Sequence, residues 1–276
     1  MGRRHQMNKW TDGRCRANGI NLHYLRTGGD KPAVLMLHGL MGSGACWTPL
    51  ARTLADDYDV VMPDARGHGQ SGAPPSGYGY EDQARDVIGL IAGLGLSAPI
   101  LVGHSMGGMT AAVVASTAAR TIRGLALLDP TFLDPPRQQE VFESEVMAQH
   151  RQLLARDANE VLVELRSRHP DRARELVGLL ADARLQTSIH AFQVLTPPNP
   201  DYRQLLRTIE VPILMLVGDA GVVSRDTATG LQRIHPQLQV EPIPNAGHGI
   251  HYDQPERVAA VLRSFLDSAA RSSNDG

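Results

Sequence analysis

The stretch Val102-Gly103-His104-Ser105-Met106-Gly107-Gly108 constrains the fold more than any other part of the chain. A short apolar run, Pro99-Ile100-Leu101-Val102, precedes it and reads as a buried strand. Met109-Thr110-Ala111-Ala112-Val113-Val114-Ala115 follows and reads as a helix. A serine with glycines two residues to either side, at a strand-to-helix junction, sits on a turn tight enough to strain its backbone. The glycines leave room where helix and strand nearly touch. The hydroxyl then stands clear of the sheet at the positive end of the helix. A bare G-x-S-x-G is often only a small-residue turn, and it is the flanking strand and helix that mark Ser105 as a candidate nucleophile.

The rest of the chain alternates around this junction. Cys15 to Arg26, with Asn18-Gly19 in its middle, reads as an opening hairpin. Ala33 to Leu37 is apolar on both faces, as expected of a parallel strand covered by helices, and Asp59 to Met62 reads as another strand. Trp47 to Ala55 and Tyr80 to Ala92 read as the intervening helices, and Gly124 to Asp129 as another buried strand. Strands alternating with helices at this spacing predict a mostly parallel α/β sheet. The alternation stops between about Thr131 and Glu210, where 141–150, 160–168, 172–180 and 185–194 carry helical periodicity. This predicts a helical cap over 131–210, with a core built from 12–130 and 211–270. Strands over 211–217 and 239–243 and helices near 227–234 and 255–266 complete the core.

Composition narrows the function. The chain has 276 residues, with 27 Lys+Arg against 29 Asp+Glu, so nothing points to nucleic acid or to an anionic membrane surface. No apolar run approaches the roughly 20 residues that span a bilayer. The basic start, Met1 to Asn8, leads into no apolar segment, and the tail from Ser272 to Gly276 is polar. Cys15 and Cys46 suffice for neither a disulfide framework nor a metal cluster, which predicts free thiols in the cytoplasm. No cofactor or metal is expected. The expected partner is a small molecule, with the chain a monomer or a homodimer.

An elbow serine needs a base, and His248, in Pro244-Asn245-Ala246-Gly247-His248-Gly249 after the last strand, is the candidate. His251 competes with it, although a surface or pocket-rim position suits it better. From Asn21 to Leu266 the chain resembles the α/β-hydrolase superfamily, in particular capped esterases and lactonases. The resemblance rests on His38-Gly39-Leu40, Asp64-Ala65-Arg66-Gly67-His68-Gly69-Gln70-Ser71, Gly103-His104-Ser105-Met106-Gly107-Gly108 and Gly247-His248, in that order. It implies an eight-stranded, mainly parallel sheet, an oxyanion hole from the backbone N–H groups of Leu40 and Met106, and a triad in the chain order Ser, acid, His. His38 is expected to brace its loop.

The acid departs from the pattern. Relatives usually carry it after the strand equivalent to 211–217, where this chain has Gly218-Asp219-Ala220-Gly221-Val222-Val223-Ser224, with glycine at the usual carboxylate position. A second known location follows the strand after the nucleophile helix, and Asp129 stands there. The glycine favours Asp129, with Asp219 the alternative and Asp226 more remote, inside the next helix. Either site serves if the carboxylate reaches the imidazole.

These residues predict hydrolysis of a carboxylic ester or lactone through an acyl-enzyme. A serine nucleophile disfavours dehalogenase and epoxide-hydrolase chemistry, which the fold runs with an aspartate. A C–C bond hydrolase, a cofactor-free haloperoxidase and a slow-turnover small-ligand receptor remain as alternatives on the same fold. Trp47, Phe132, Phe142, Phe192 and Leu195 are the candidate pocket residues.

Overall fold

The computed structural model describes residues 10–271, so Met1 to Asn8 and Ser272 to Gly276 lie outside the described residues. Eight strands form one sheet: β1 (Thr11–Ala17), β2 (Ile20–Arg26), β3 (Ala33–Leu37), β4 (Asp59–Pro63), β5 (Ile100–His104), β6 (Gly124–Leu128), β7 (Ile213–Ala220) and β8 (Gln239–Gly247). Their spatial order is β1-β2-β4-β3-β5-β6-β7-β8. β1 pairs antiparallel with β2 and β2 with β4, and every later pairing is parallel. The sheet is therefore mixed but mostly parallel, as the alternation predicts. The helices are α1 (Thr48–Leu54), α2 (Tyr80–Gly93), α3 (Met106–Thr117), α4 (Pro135–Glu143), α5 (Val146–Leu154), α6 (Ala158–Arg168), α7 (Arg174–Leu185), α8 (Tyr202–Thr208), α9 (Arg225–Ile234), α10 (Ile250–Asp253) and α11 (Pro255–Arg271).

The pleat sorts each central strand between two cores. Leu35, Leu37, Leu101, Leu125 and Leu127 point to one face, among side chains of α2, α3 and α8. Val34, Met36, Ile100, Val102, Ala126 and Leu128 point to the other, against α1 and α11. Burial on both faces is why these strands are continuously apolar instead of alternating. α3 is buried from Met106 through Ala115, as expected of a helix enclosed on all sides.

α4 to α7 form the helical insert. The periodicity over 141–150 spans two helices, because the chain breaks out of helical geometry at Ser144, whose ψ is 162°. The segment near 185–194 is a 3-10 helix, Ile189–Leu195, instead of an α-helix. α8, which the sequence does not signal, buries Tyr202 and Leu206 in the first core.

Strand order reverses between β3, whose other neighbour is β4, and β5. The loops after β3 and β5 therefore diverge and open a crevice at the carboxyl edge of the sheet, where ligands of open α/β folds bind. Gly39 and Leu40 stand on the first loop and Ser105 on the second.

Candidate active site

Ser105 caps α3 with φ 53° and ψ −119°, a conformation that costs energy in any residue with a Cβ. The glycines around it are obligatory. A Cβ on Gly103 would lie 2.4 Å from the Gly107 carbonyl oxygen, and one on Gly107 would lie 2.2 Å from that of Leu37. The Ser105 carbonyl accepts from the N–H groups of Gly108 (2.9 Å), Met109 (3.1 Å) and Thr131 (3.2 Å), which ties the turn to both its helix and the loop after β6.

His248 follows β8 and is half-buried. Its Nε2 lies 2.9 Å from Ser105 Oγ, and its Nδ1 lies 2.5 Å from Asp129 Oδ2. The carboxylate can only accept, so the tautomer is set: Nδ1–H donates to Asp129, and Nε2 accepts from the serine hydroxyl. Asp129 is fully buried and sits at φ 43° just beyond β6. Its carboxylate also accepts from Val222 N–H (2.8 Å) and Val223 N–H (2.9 Å), so both oxygens are fixed before the imidazole arrives. Gly221 explains the departure seen in the sequence. A Cβ there would fall 2.6 Å from Asp129 Oδ1, so any side chain at 221 would collide with the carboxylate that faces the histidine.

The other carboxylates stand elsewhere. Asp219 is exposed, where it accepts from Arg225 Nη2 (2.7 Å) and the Asn245 N–H (2.8 Å), and Asp226 is exposed within α9. His251 is buried with neither ring nitrogen hydrogen-bonded, stacked on Trp47 at 4.3 Å, and burial holds it well below the usual histidine pKa. His104, inside the elbow, donates from Nε2 to the His248 carbonyl at 2.9 Å. Burial, reinforced by His248, pulls the His104 pKa down to about 3, so a neutral ring supports the loop that carries His248.

Leu40, on the loop after β3, and Met106, at the start of α3, stand beside Ser105. Neither N–H has an acceptor among the described residues, and Met106 is the first residue of α3, whose N–H has no intrahelical partner. His38 shapes the Leu40 loop: its Nδ1 donates to the Gly39 carbonyl (2.8 Å) and its Nε2 accepts from Ala65 N–H (2.9 Å). His68 holds the same loop by accepting from Met41 N–H at 3.3 Å. Burial lowers the His38 pKa, and lowers that of His68 to about 3, so both braces are neutral.

A cavity of about 420 Å³ opens beside Ser105 and His248, walled by Leu40, Met106, Val141 and Leu195. Four of the five expected pocket residues are not among its walls. Trp47 is spent on His251, Phe132 stacks on Tyr202 at 4.8 Å in the core, and Phe192 is buried against His150 at 4.7 Å. Phe142 is exposed on α4. Packing elsewhere absorbs the buried aromatics; Tyr80 and Arg137 reach the cavity wall, but aliphatic side chains make up most of it. Thr131 Oγ1 lies 3.3 Å from Ser105 Oγ, and no sequence motif marks it, because the loop after β6 brings it there. Among the described residues no cluster of His, Cys, Asp and Glu could hold a metal, and no helix is long and apolar enough to cross a membrane.

Fold and elbow together define an α/β hydrolase, and residues 34–261 match the sequence profile of the Alpha/beta hydrolase family, to which the chain belongs. The chain is 27% identical over 255 residues to 2-(acetamidomethylene)succinate hydrolase of Mesorhizobium japonicum, covering 88% of this chain and 91% of that one. A crystal structure of E-2-(acetamidomethylene)succinate hydrolase superposes with a TM-score of 0.83 at 26% identity, over 94% of this chain and 99% of the other. The esterase RhEst1 from Rhodococcus gives a TM-score of 0.78 at 25% identity, over 94% and 99%.

Proposed function

We propose that the chain hydrolyses a carboxylic ester or lactone through an acyl-enzyme on Ser105. The observation that carries this reading is the unbroken line Ser105 Oγ, His248 Nε2, His248 Nδ1, Asp129 Oδ2, with contacts of 2.9 and 2.5 Å. Ser105 Oγ attacks the carbonyl carbon while His248 Nε2 takes its proton, and buried Asp129 stabilises the imidazolium that forms. The N–H groups of Leu40 and Met106 receive the developing oxyanion, each worth roughly 3 kcal/mol of barrier. As the tetrahedral intermediate collapses, His248 returns the proton to the departing alkoxide. Water then repeats the cycle on the acyl group and releases the acid. In a lactone the alkoxide stays tethered, and the product is a single hydroxy acid.

The mostly aliphatic walls of the 420 Å³ cavity suit a moderately sized apolar arm on that ester. The likeness to an esterase supports the same reaction class. Two free thiols, Cys15 and Cys46, suit the reducing cytoplasm. Turnover of p-nitrophenyl butyrate and of a γ-lactone is the test. Ser105→Ala should lower kcat by about 10^6-fold; a variant that keeps wild-type turnover would overturn the reading.

A further inference from the structure

A second cavity, of about 260 Å³, lies on the other side of His248 and Leu40, which wall both spaces. The first is mostly aliphatic, and the arginine in its wall, Arg137, is paired with Glu140, whereas the second is faced by Arg172, Arg184 and His169 of the helical insert, together with His104 and Tyr252. No carboxylate stands among its walls. Arg172 has one acidic partner, Asp253 Oδ1 at 2.7 Å, and its guanidinium lies 5.5 Å over the Tyr252 ring. It also crowds the His248 loop, since a Cβ on Gly249 would meet Arg172 Nη2 at 3.2 Å.

Arg184 has no acidic partner among the described residues. The polar contact recorded for its guanidinium is the Leu180 carbonyl at 3.3 Å, one turn back on α7. Burial holds this guanidinium below its usual pKa, and Arg172 and Arg168 push in the same direction. Burial, Arg172 and Arg184 likewise depress His169. A part-buried guanidinium fork without a carboxylate is expensive to maintain, and a bidentate anion is the partner its geometry fits.

We propose that this cavity binds a carboxylate carried by the substrate, with Arg184 as the principal contact and Arg172 as the second. The inference rests on the Ser105 reading, because a carbonyl held at Leu40 and Ser105 would lie between the two cavities. The ester is then asymmetric, with an apolar arm toward Met106 and Leu195 and an anionic arm toward Arg184.

Two matched pairs of esters test this. p-Nitrophenyl hemiglutarate against p-nitrophenyl pentanoate puts the carboxylate on the acyl side; para-acetoxybenzoate against phenyl acetate puts it on the leaving group. In at least one pair the wild-type chain should favour the anionic ester by about tenfold in kcat/KM. Arg184→Gln should bring that ratio close to one, and Arg184→Lys should retain part of it. A preference for the neutral ester in both pairs, or an equal loss on both members of a pair in Arg184→Gln, would overturn the proposal. Calorimetric titration of glutarate into Ser105→Ala gives a readout that needs no turnover. Binding is expected there and should be lost when Arg184→Gln is added, whereas no binding of glutarate overturns the anion site. Failure of the underlying reading looks different: Ser105→Ala would still turn over the neutral esters.

Discussion

Asp129 and Asp219 stand at the carboxyl ends of neighbouring parallel strands, β6 and β7, and their surroundings are opposite. Asp129 is fully buried and accepts from two backbone N–H groups and one imidazole. Asp219 is exposed and shared between a surface arginine and a turn. A buried carboxylate is tolerable only when its acceptor sites are filled, so the environment that makes Asp129 costly also gives it a single orientation. The exposed one is solvated whichever way it turns. Position along a strand end therefore does not decide which carboxylate can orient a histidine; preorganised donors and the space vacated at Gly221 do.

The strongest way to break this contrast is Asp129→Asn. The amide keeps the shape but favours the wrong imidazole tautomer, and kcat for ester hydrolysis should fall by about 10^4-fold. Gly221→Ala tests the vacated space. Its Cβ would force Asp129 or its loop aside, and an ångström-scale displacement should cost about 10^2-fold in kcat.

A smaller effect contrasts the buried ground behind Ser105, His248 and Asp129 with the exposed rim. His104 and His68 have native pKa values near 3, against 6.5 for an ordinary histidine. Between those values the unfolded chain binds protons that the native chain refuses, so stability falls as pH drops below about 6.5 and is level above it. Urea unfolding should show a loss of roughly 1 kcal/mol per pH unit for each such histidine, and His104→Gln should reduce the slope. Asp219→Asn should do least, with turnover within about twofold of wild type and a thermal midpoint close to it. A large loss there would reverse the roles assigned to the two aspartates.

Local signals made much of this legible. The elbow is written in seven consecutive residues because the close approach of α3 to β3 and β5 admits only glycine at 103 and 107. The central strands are legible because burial on both faces leaves an uninterrupted apolar run. Gly221 carried information through what it lacks, and so pointed toward Asp129. The cavity walls were not legible, because whether an aromatic faces a pocket or the core depends on which helix packs over it. Trp47 went to His251, and Phe132 went to Tyr202 on α8, a helix that no periodic pattern announces. The cationic second cavity is hidden for the same reason: no motif marks Arg172 or Arg184, and only the packing of the helical insert brings them beside His248 and Gly249.

The most direct test of the account is to trap the covalent intermediate. The chain is quenched in acid during turnover of p-nitrophenyl butyrate and its peptides are mapped by mass spectrometry. A butyryl group on Ser105, absent when His248 is replaced by asparagine, is the predicted result. An acyl group on any other side chain, or rapid turnover with no acylated peptide and no burst of p-nitrophenol, would contradict it.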